Sequence, residues 1–252
     1  MKSMFSSSLP LSEEKVKSCI QNFKTQGELF GDGKRNVIKL FRIEDFVLNV
    51  KSFKIPNLIN QIAYRFFRKS KAQRSFEYAQ KLESLGIGTP RPVAYFEHTT
   101  AFLFKESFYV SEHLQADLTY RELTKNLDYP EHTEILKAFT EFTFNLHENN
   151  IEFLDHSPGN TLIQLNNGDY QFFLVDLNRM NFKALSLDDR IKNFARLTTS
   201  ESMVSVMSEE YAKLYGANSE EIFEKMWSYT EAFQEKFHRK KRLKKKLKFW
   251  KK

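Results

Sequence analysis

The chain has 252 residues and a mass of 29.9 kDa, which is long enough to bury a sizeable core as one large two-lobed domain or two small ones. Its hydrophobic content of 41% and its 25 phenylalanines are typical of a globular protein and exclude a disordered one. Cys19 is the only cysteine, so an intrachain disulfide and a cysteine-based zinc site are excluded.

The formal charge of +7 is concentrated in one segment. Residues 236–252 contain 11 Lys or Arg and no acid, and subtracting these from the total leaves −4 on residues 1–235. A mildly acidic body does not fit a nucleic-acid-binding protein, which carries its basic patch within the fold. The chain has neither a signal-peptide-like apolar run at its start nor about 18 apolar residues in succession. We therefore expect a cytoplasmic protein.

The first half is predicted to be rich in β-strands. Residues 12–24 are predicted to form a short helix or arm. Between about 26 and 54, apolar runs are separated by glycines, and the segment FVLNVKSFK alternates as a half-buried strand requires. A helical stretch from about 57 to 85 ends at LGIGTPRP, whose glycines and prolines are typical of a helix end. Strand-like segments return at VAYFEH, AFLFKE and FYVSEHL.

The second half is predicted to be mainly helical. From about residue 131 an apolar stripe recurs at helical spacing, and its members are Ile135, Phe139, Phe142 and Leu146. Two short strands, NTLIQL and YQFFLVDL, are joined by a turn with an Asn-Gly step that favours a hairpin, and residues 187–252 return to a helical pattern. Strands followed by helices predict the α+β class. The phenylalanines of FTEFTFN and QFFLV are expected to be core residues.

The most informative stretch is LHENNIEFLDHSPGNTLIQLNNGDYQFFLVDLNRM. Asp155 and Asn160 lie five residues apart after the long helix, and Asp176 ends an apolar run after the hairpin. Isolated pairs of this spacing are common by chance, but this whole order is typical of a protein-kinase catalytic loop. In that chemistry the first Asp accepts the proton of the attacking hydroxyl, and the Asn and second Asp bind Mg²⁺. The order predicts Asp155 as the base and Asn160 and Asp176 as metal ligands.

This stretch resembles the kinases that phosphorylate sugars of bacterial lipopolysaccharide, the Kdo (3-deoxy-D-manno-octulosonic acid) and heptose kinases. His147 matches the Leu-His that ends the equivalent helix in those families, and NFARL, near 193–197, is similar to a segment after their metal-binding Asp. The resemblance covers about residues 27–200. It implies a two-lobed protein-kinase-like fold, ATP and Mg²⁺ as cofactors, and phosphorylation of a sugar hydroxyl, with Kdo on lipid A as the acceptor.

Two departures from the typical protein kinase bear on the substrate. Phe153-Leu154 stands where His-Arg precedes the catalytic Asp, and Leu177-Asn178 stands where Phe-Gly follows the metal-binding Asp. Without that Arg, a phosphorylated activation loop would lack its partner. Both departures favour a sugar or small-molecule acceptor over a protein. The resemblance also implies the domain organisation: an N-terminal arm at 1–25, a kinase N-lobe at 26–115, a C-lobe at 116–235 and a basic tail at 236–252.

A kinase needs a strand lysine for the α- and β-phosphates, and a helix glutamate to pair with it. Lys51 is the predicted lysine, with Lys54 as runner-up and a solvated edge residue as the ordinary interpretation. Glu77 is the predicted partner, although the family pattern counted back along the helix falls on Ser75. Either the helix is shifted by two residues or the pair is built differently.

The remaining nucleotide contacts are predicted by position. Gly31 and Gly33 in GDGKRN would let the backbone approach the phosphates, although a plain hairpin turn explains them equally well. The adenine is expected to meet backbone groups in the connection around Glu112 to Leu114. His147 is expected to hold the catalytic loop by hydrogen bonding, whereas His156 is open between loop structure and substrate contact.

The basic tail has two interpretations. As a helix, 236–252 would place Leu243, Leu247 and Trp250 on one stripe of a cationic surface, which fits docking on an anionic membrane; the alternative is a solvated, disordered tail. The resemblance favours the inner face of the bacterial inner membrane, where a lipid A-anchored acceptor is built. Two rival functions stay open, a kinase acting on another small molecule or a protein, and a non-catalytic kinase-like binding module.

Overall fold

A computed structural model describes residues 1–7, 11–33, 36–166 and 168–249. The chain divides into two compact units, the first comprising Met1–Gln115 and Leu174–Arg179, and the second Ala116–Phe173 and Met180–Lys252. Each unit has its own hydrophobic core. Strands predominate in the first and helices in the second, so the predicted α+β class is confirmed.

The first unit is built on an antiparallel sheet. Its strands follow the order β1-β5-β6-β4-β3-β2, which places β4 between β6 and β3 in the interior of the sheet. The elements in chain order are β1 (Lys2–Phe5), α1 (Glu13–Gln21), β2 (Glu28–Phe30), β3 (Val37–Ile43), β4 (Phe46–Phe53), α2 (Leu58–Phe66), α3 (Lys71–Ser84), β5 (Pro92–Thr99) and β6 (Phe104–Glu112).

The two faces of this sheet pack against different helices. Val50 of β4 belongs to the core cluster that includes Val16 and Ile20 of α1. Phe53 of the same strand packs in a second cluster with Phe76 of α3. Because neighbouring residues of a strand point to opposite faces, Lys51 lies on the α3 side of the sheet. This alternation sets the direction of the predicted lysine.

Two segments of the first unit differ from the sequence prediction. The helical stretch predicted for 57–85 is two helices, because Ser70 begins a new one by accepting a 3.0 Å hydrogen bond from the backbone N–H of Gln73. Residues 2–5, expected to belong to an arm, form β1 at the sheet edge beside β5. So short a strand is hard to recognise from its own sequence, because pairing with β5 stabilises it.

The second unit is mainly helical with short strands. Its small sheets have the orders β10-β9-β7 and β11-β8. The elements in chain order are β7 (Leu118–Thr119), α4 (Tyr120–Lys125), α5 (His132–Glu148), β8 (Ile151–Phe153), β9 (Thr161–Asn166), β10 (Asp169–Leu174), β11 (Met180–Phe182), α6 (Leu187–Lys192), α7 (Glu201–Tyr215) and α8 (Ser219–Phe249).

Aromatic rings fill the core of the second unit. Phe139 of α5 lies 4.3 Å from Tyr120 of α4 and 5.6 Å from Phe172 of β10, measured between ring centroids. Ile135 and Leu146 of α5 are also fully buried. The predicted core position is confirmed for Phe139 and Phe172, and Phe142 and Phe144 pack against that core while partly buried. Phe173 is only partly buried. The packed face of α5 fixes the start of the loop that follows it.

The basic segment continues the last helix. α8 runs to Phe249 and so includes most of residues 236–252, and Leu243 on it is exposed. Trp250, the last member of the predicted stripe, lies outside the described residues. In the part of the chain that the structure describes, no helix is long and apolar enough to cross a membrane.

Candidate functional site

The predicted lysine and the predicted metal-binding aspartate meet within the first unit. The Nζ atom of Lys51 lies 2.7 Å from Oδ1 of Asp176, across 125 residues of sequence. Lys51 stands opposite Ile38 of β3 and Tyr109 of β6, and its side chain is only 14% exposed. It is therefore an interior strand residue that holds a carboxylate, not a solvated edge residue.

Asp176 is fixed in an uncommon backbone conformation. Its φ is +59°, in the left-handed region. This conformation costs energy for a non-glycine residue, and residues that adopt it cluster at functional sites. The amide of Asn178 donates a 2.7 Å hydrogen bond to the same Oδ1 atom. The segment is anchored where it begins, because the N–H of Leu174 donates to the carbonyl of Gly88 and the Thr89 hydroxyl donates to the carbonyl of Leu174, each at 2.9 Å.

The predicted pair of Lys51 and Glu77 is not formed. Glu77 accepts hydrogen bonds from Lys69 at 2.8 Å and from Gln73 at 2.9 Å. Of the two candidate positions on α3, Ser75 is buried and Glu77 is not. A residue two positions further along an α-helix is rotated by about 200°. Glu77 therefore points away from the face that Ser75 presents, and Lys51 takes its carboxylate partner from Asp176 instead.

The other predicted nucleotide contacts lie in turns and strand ends of the same unit. Gly31 and Gly33 have φ of +84° and +60° in the turn after β2, and a Cβ at Gly31 would meet no atom within 4 Å. Among the residues that the structure describes, which leave out 34 and 35, the space above Gly31 is open. Glu112 ends β6 and lies 3.4 Å from the guanidinium of Arg91, and Leu114 follows in the connection. Their contact with adenine stays a prediction.

The predicted base is paired with an arginine within the second unit. Nη1 of Arg196 donates to Oδ1 of Asp155 at 2.9 Å and to the carbonyl of Leu154 at 2.8 Å. The amide nitrogen of Asn160 donates to the carbonyl of Asp155 at 2.8 Å. Because a carbonyl only accepts, this bond fixes the amide's orientation and directs the Asn160 oxygen elsewhere. The loop thus holds one carboxylate and one amide in defined positions.

A buried hydrogen-bond chain supports this loop. The hydroxyl of Tyr211 lies 2.9 Å from Nδ1 of His147, whose Nε2 lies 3.3 Å from Oδ1 of Asn193. The amide of Asn193 in turn donates to the carbonyl of Phe153, at the entrance to the loop, at 3.0 Å. Nε2 therefore carries a proton and donates to Asn193. Burial lowers the pKa of His147 to about 4, which favours the neutral imidazole with Nδ1 accepting from Tyr211. The predicted loop-holding role of His147 is confirmed.

His156, beside the predicted base, is a core residue. Its ring is fully buried and lies 5.4 Å from the ring of Phe139 and 5.8 Å from that of Phe153. Burial lowers the pKa of His156 to about 3, so it stays neutral at physiological pH. Of the two alternatives left by the sequence, this environment favours loop structure over substrate contact.

The oxygen atoms offered by these residues fit magnesium. Among the residues that the structure describes, no three His, Cys, Asp or Glu side chains cluster to hold a metal. A kinase needs no such cluster, because one Asp, one Asn and the nucleotide phosphates supply the ligands. The Asp176 carboxylate and the Asn160 amide oxygen are hard ligands of that type.

Three residues at these positions were not predicted from the sequence. Arg196 belongs to the NFARL segment, whose resemblance was recognised without a role for its arginine. Asn193 begins the same segment, and Asn178 was noted only as a departure from Phe-Gly. For Arg196 and Asn193 the partners lie about 40 residues away in the sequence, so spacing alone did not identify them. Asn178 donates to Asp176, only two residues away, but no role had been assigned to it.

Comparisons with known proteins give a family and a fold. The model of the family described as "Lipopolysaccharide kinase (Kdo/WaaP) family" matches residues 52–228, more than half of the chain. No curated protein matches the sequence. Among solved structures, the chain is similar to "WaaP in complex with acyl carrier protein", with a TM-score of 0.63 and 15% identity over 94% of this chain and 99% of that one. At this identity the likeness shows the kinase-like fold alone.

Proposed function

Because the chain belongs to the lipopolysaccharide kinase (Kdo/WaaP) family, we propose that it transfers a phosphoryl group from ATP to a sugar hydroxyl of the lipopolysaccharide inner core, with Kdo on lipid A as the acceptor. Membership makes it a kinase; the acceptor is the proposed part. The observation that carries the proposal is the ion pair of Lys51 with Asp176, which joins the two residues that a kinase uses for phosphates and metal.

Lys51 and Asp176 serve the nucleotide in this proposal. The Lys51 ammonium neutralises charge on the ATP phosphates from an interior strand that cannot easily move. Asp176 supplies a carboxylate whose direction is set by Asn178 and by its left-handed backbone. Preorganised charges of this kind stabilise a transition state without reorganising during the reaction. The ion pair holds the Lys51 ammonium and the Asp176 carboxylate in place until the ATP phosphates bind to the ammonium.

Asp155 is the proposed base. Its carboxylate orients the sugar hydroxyl and accepts the proton as the new bond to phosphorus forms. Arg196 fixes the direction of that carboxylate through Oδ1, and His147 and Asn193 hold the strand end before it. Asp176 and the oxygen of Asn160 are the proposed Mg²⁺ ligands, and Mg²⁺ when bound neutralises charge on the phosphates.

The proposed place of action is the inner face of the bacterial inner membrane. The exposed residues of α8 from Lys236 onward are predominantly basic, and 236–252 carries no acid. Anionic lipids attract such a segment. The full-length chain should therefore bind anionic vesicles less well, and with less salt sensitivity, after Lys240, Lys241 and Arg242 are replaced by Gln.

Labelled ATP tests the proposed reaction directly. We expect the purified chain to label lipid A carrying Kdo, and not lipid A without Kdo, free sugars or generic proteins. Asp155→Ala should lower the rate by roughly 10²- to 10⁴-fold with an unchanged melting temperature. The matched control is Asp169→Ala, which removes an exposed aspartate at the start of β10.

Each outcome of this assay has a distinct meaning. Labelling of a protein or a soluble sugar in place of lipid A would assign a different acceptor. A stabilising shift with ATP and Mg²⁺ without any labelling would favour the non-catalytic binding module, because a ligand that binds only the folded state stabilises it. Unchanged turnover in Asp155→Ala would falsify the assignment of the base.

A further inference from the structure

The helix α2 presents its apolar stripe to solvent. Leu58, Ile59, Ile62 and Phe66 follow one another at helical spacing, and at about 100° per residue they share one face. All four are exposed, Ile59 by 79%, and no residue of α2 is buried. Phe67, at the C-terminal end of the helix, is 82% exposed. An amphipathic helix of a globular protein normally turns this stripe inward.

The side of α2 that carries Tyr64 faces β6. Asn57, Asn60 and Tyr64 line a pocket together with Phe104 and Ser107 of β6. The ring of Tyr64 lies 5.6 Å from that of Phe104. Tyr64 thus packs against β6, whereas the apolar stripe is exposed. The orientation is inverted relative to ordinary packing.

A further exposed aromatic residue, Phe102, lies in a loop that is hydrogen-bonded to α2. The guanidinium Nε of Arg65 donates a 3.0 Å hydrogen bond to the carbonyl of Thr100, in the loop between β5 and β6. That loop carries Phe102, which is 74% exposed. The α2 patch is defined here as Leu58, Ile59, Ile62, Phe66, Phe67 and Phe102, and a group of exposed apolar side chains of this kind marks an interaction site.

The segment of sequence that carries α2 is basic. Residues 54–76 contain six basic side chains and no acidic one. They are Lys54, Arg65, Arg68, Lys69, Lys71 and Arg74. Lys69 is paired with Glu77, just beyond the segment. An apolar helix face that is bordered by Lys and Arg is typical of helices that lie in the interface of a lipid bilayer.

We propose that the α2 patch inserts into the interface of an anionic lipid bilayer, with the surrounding bases against the headgroups. A projecting stripe needs no complementary groove in a bilayer, and anionic headgroups match the cations. A second copy of the chain would bring the same six bases against each other, which disfavours self-association. This surface belongs to the first unit, and its binding does not require phosphoryl transfer.

Vesicle binding by the full-length chain tests the α2 patch. The double variant Ile59→Ser/Phe67→Ser should bind vesicles of phosphatidylcholine and phosphatidylglycerol about tenfold more weakly than the parent, because two exposed apolar side chains no longer enter the bilayer. Leu127→Ser, which changes an exposed leucine of the second unit, is the matched control and should bind as the parent does. Both changes are at exposed positions, and equal melting temperatures verify the fold.

Insertion is measured separately from attraction to charge. The indole introduced by Phe67→Trp should shift to shorter emission wavelength with anionic vesicles and be quenched by lipids brominated in their acyl chains, beyond the signal of the parent's Trp227 and Trp250. Replacing the tail bases should weaken binding without removing this quenching.

Several results would overturn the proposal. These are equal vesicle binding by parent and double variant, absence of quenching, or a dimer in the analytical ultracentrifuge that the double variant abolishes. Binding of an acidic protein by the patch without affinity for vesicles would also contradict it. None of these outcomes depends on whether Kdo is the acceptor.

Discussion

Two carboxylate–cation pairs carry the proposed chemistry, and they are built differently. In the first unit, the single ammonium of Lys51 meets Asp176, whose Oδ1 is shared with Asn178. In the second, one guanidinium nitrogen of Arg196 holds both the Asp155 carboxylate and the backbone carbonyl of Leu154. An ammonium is a compact charge with rotatable donors, whereas a guanidinium is a planar and rigid fork.

This difference indicates two functions for the same charge pairing. The Lys51 ammonium can bind different anions in turn, because its rotatable donors do not require one particular partner geometry. The Arg196 guanidinium is tied to the backbone of the residue that precedes the base, so it fixes direction. We interpret the first pair as an exchangeable phosphate site and the second as a positioning device.

Of the two cations, removing the exchangeable one has the larger expected effect. Lys51→Met should lower the transfer rate by roughly 10²- to 10³-fold, because one preorganised positive charge on the phosphates is lost. The stabilising thermal shift with ATP and Mg²⁺ should also shrink. Lys54→Met is the matched control, since Lys54 is exposed beyond the end of β4. A normal rate in Lys51→Met would break the comparison of the two pairs.

A smaller effect is expected from Arg196→Lys. Lysine keeps the charge but its ammonium rotates freely, whereas the two N–H bonds of Arg196 Nη1 lie in the fixed plane of the guanidinium. The carboxylate of Asp155 should therefore be misdirected, and kcat should fall by up to about 100-fold. The KM for ATP should stay unchanged, because Arg196 is assigned to the base. Arg239→Lys alters an exposed arginine of α8 and serves as control. A rise in the KM for ATP with constant kcat would contradict the positioning role.

Replacing His147 is expected to have the smallest effect on activity. Its main effect should be on how stability depends on pH. Burial lowers its pKa to about 4 from an ordinary value of 6.5, so the unfolded chain takes up this proton first as the pH falls. The free energy of unfolding should therefore decrease as the pH falls from 6.5 to about 4. The contribution of His147 to this decrease is about 2 kcal/mol between pH 7 and pH 5. Urea unfolding at several pH values measures this.

His147→Gln sharpens that measurement. The variant should show a shallower decrease of unfolding free energy over the same range, with the remainder due to His156, whose pKa is also lowered by burial. His238→Gln changes a histidine on the exposed part of α8 and should keep the parent's profile. If the unfolding free energies of His147→Gln and the parent depend on pH in the same way, the His147 imidazole is not held neutral in the folded chain.

Local patterns predicted much of the fold. The alternation of FVLNVKSFK predicted β4, and the apolar spacing of 135–146 predicted the buried face of α5. The break between α2 and α3 was missed because the apolar pattern runs across it, while the cap at Ser70 acts on the backbone. The strand β1 was missed because its stability comes from β5, a partner about ninety residues away.

Residue types at the site were predicted better than their partners. Asp155, Asn160, Asp176 and Lys51 follow from the order of a kinase catalytic loop and from strand alternation. The predicted Glu77 partner failed because two residues along a helix reverse the side-chain direction. Arg196 was missed because its contact with Asp155 spans 41 residues.

By itself, the sequence determined which chemical groups the chain offers and in what order, since the spacing of acids, amides and apolar residues is a local property. Only the tertiary structure decided which groups meet: Lys51 with Asp176, Arg196 with Asp155, and the outward direction of the α2 patch. The physical reason is that a side chain's direction depends on how its whole element packs, and a rotation of one residue changes the partner without changing the pattern.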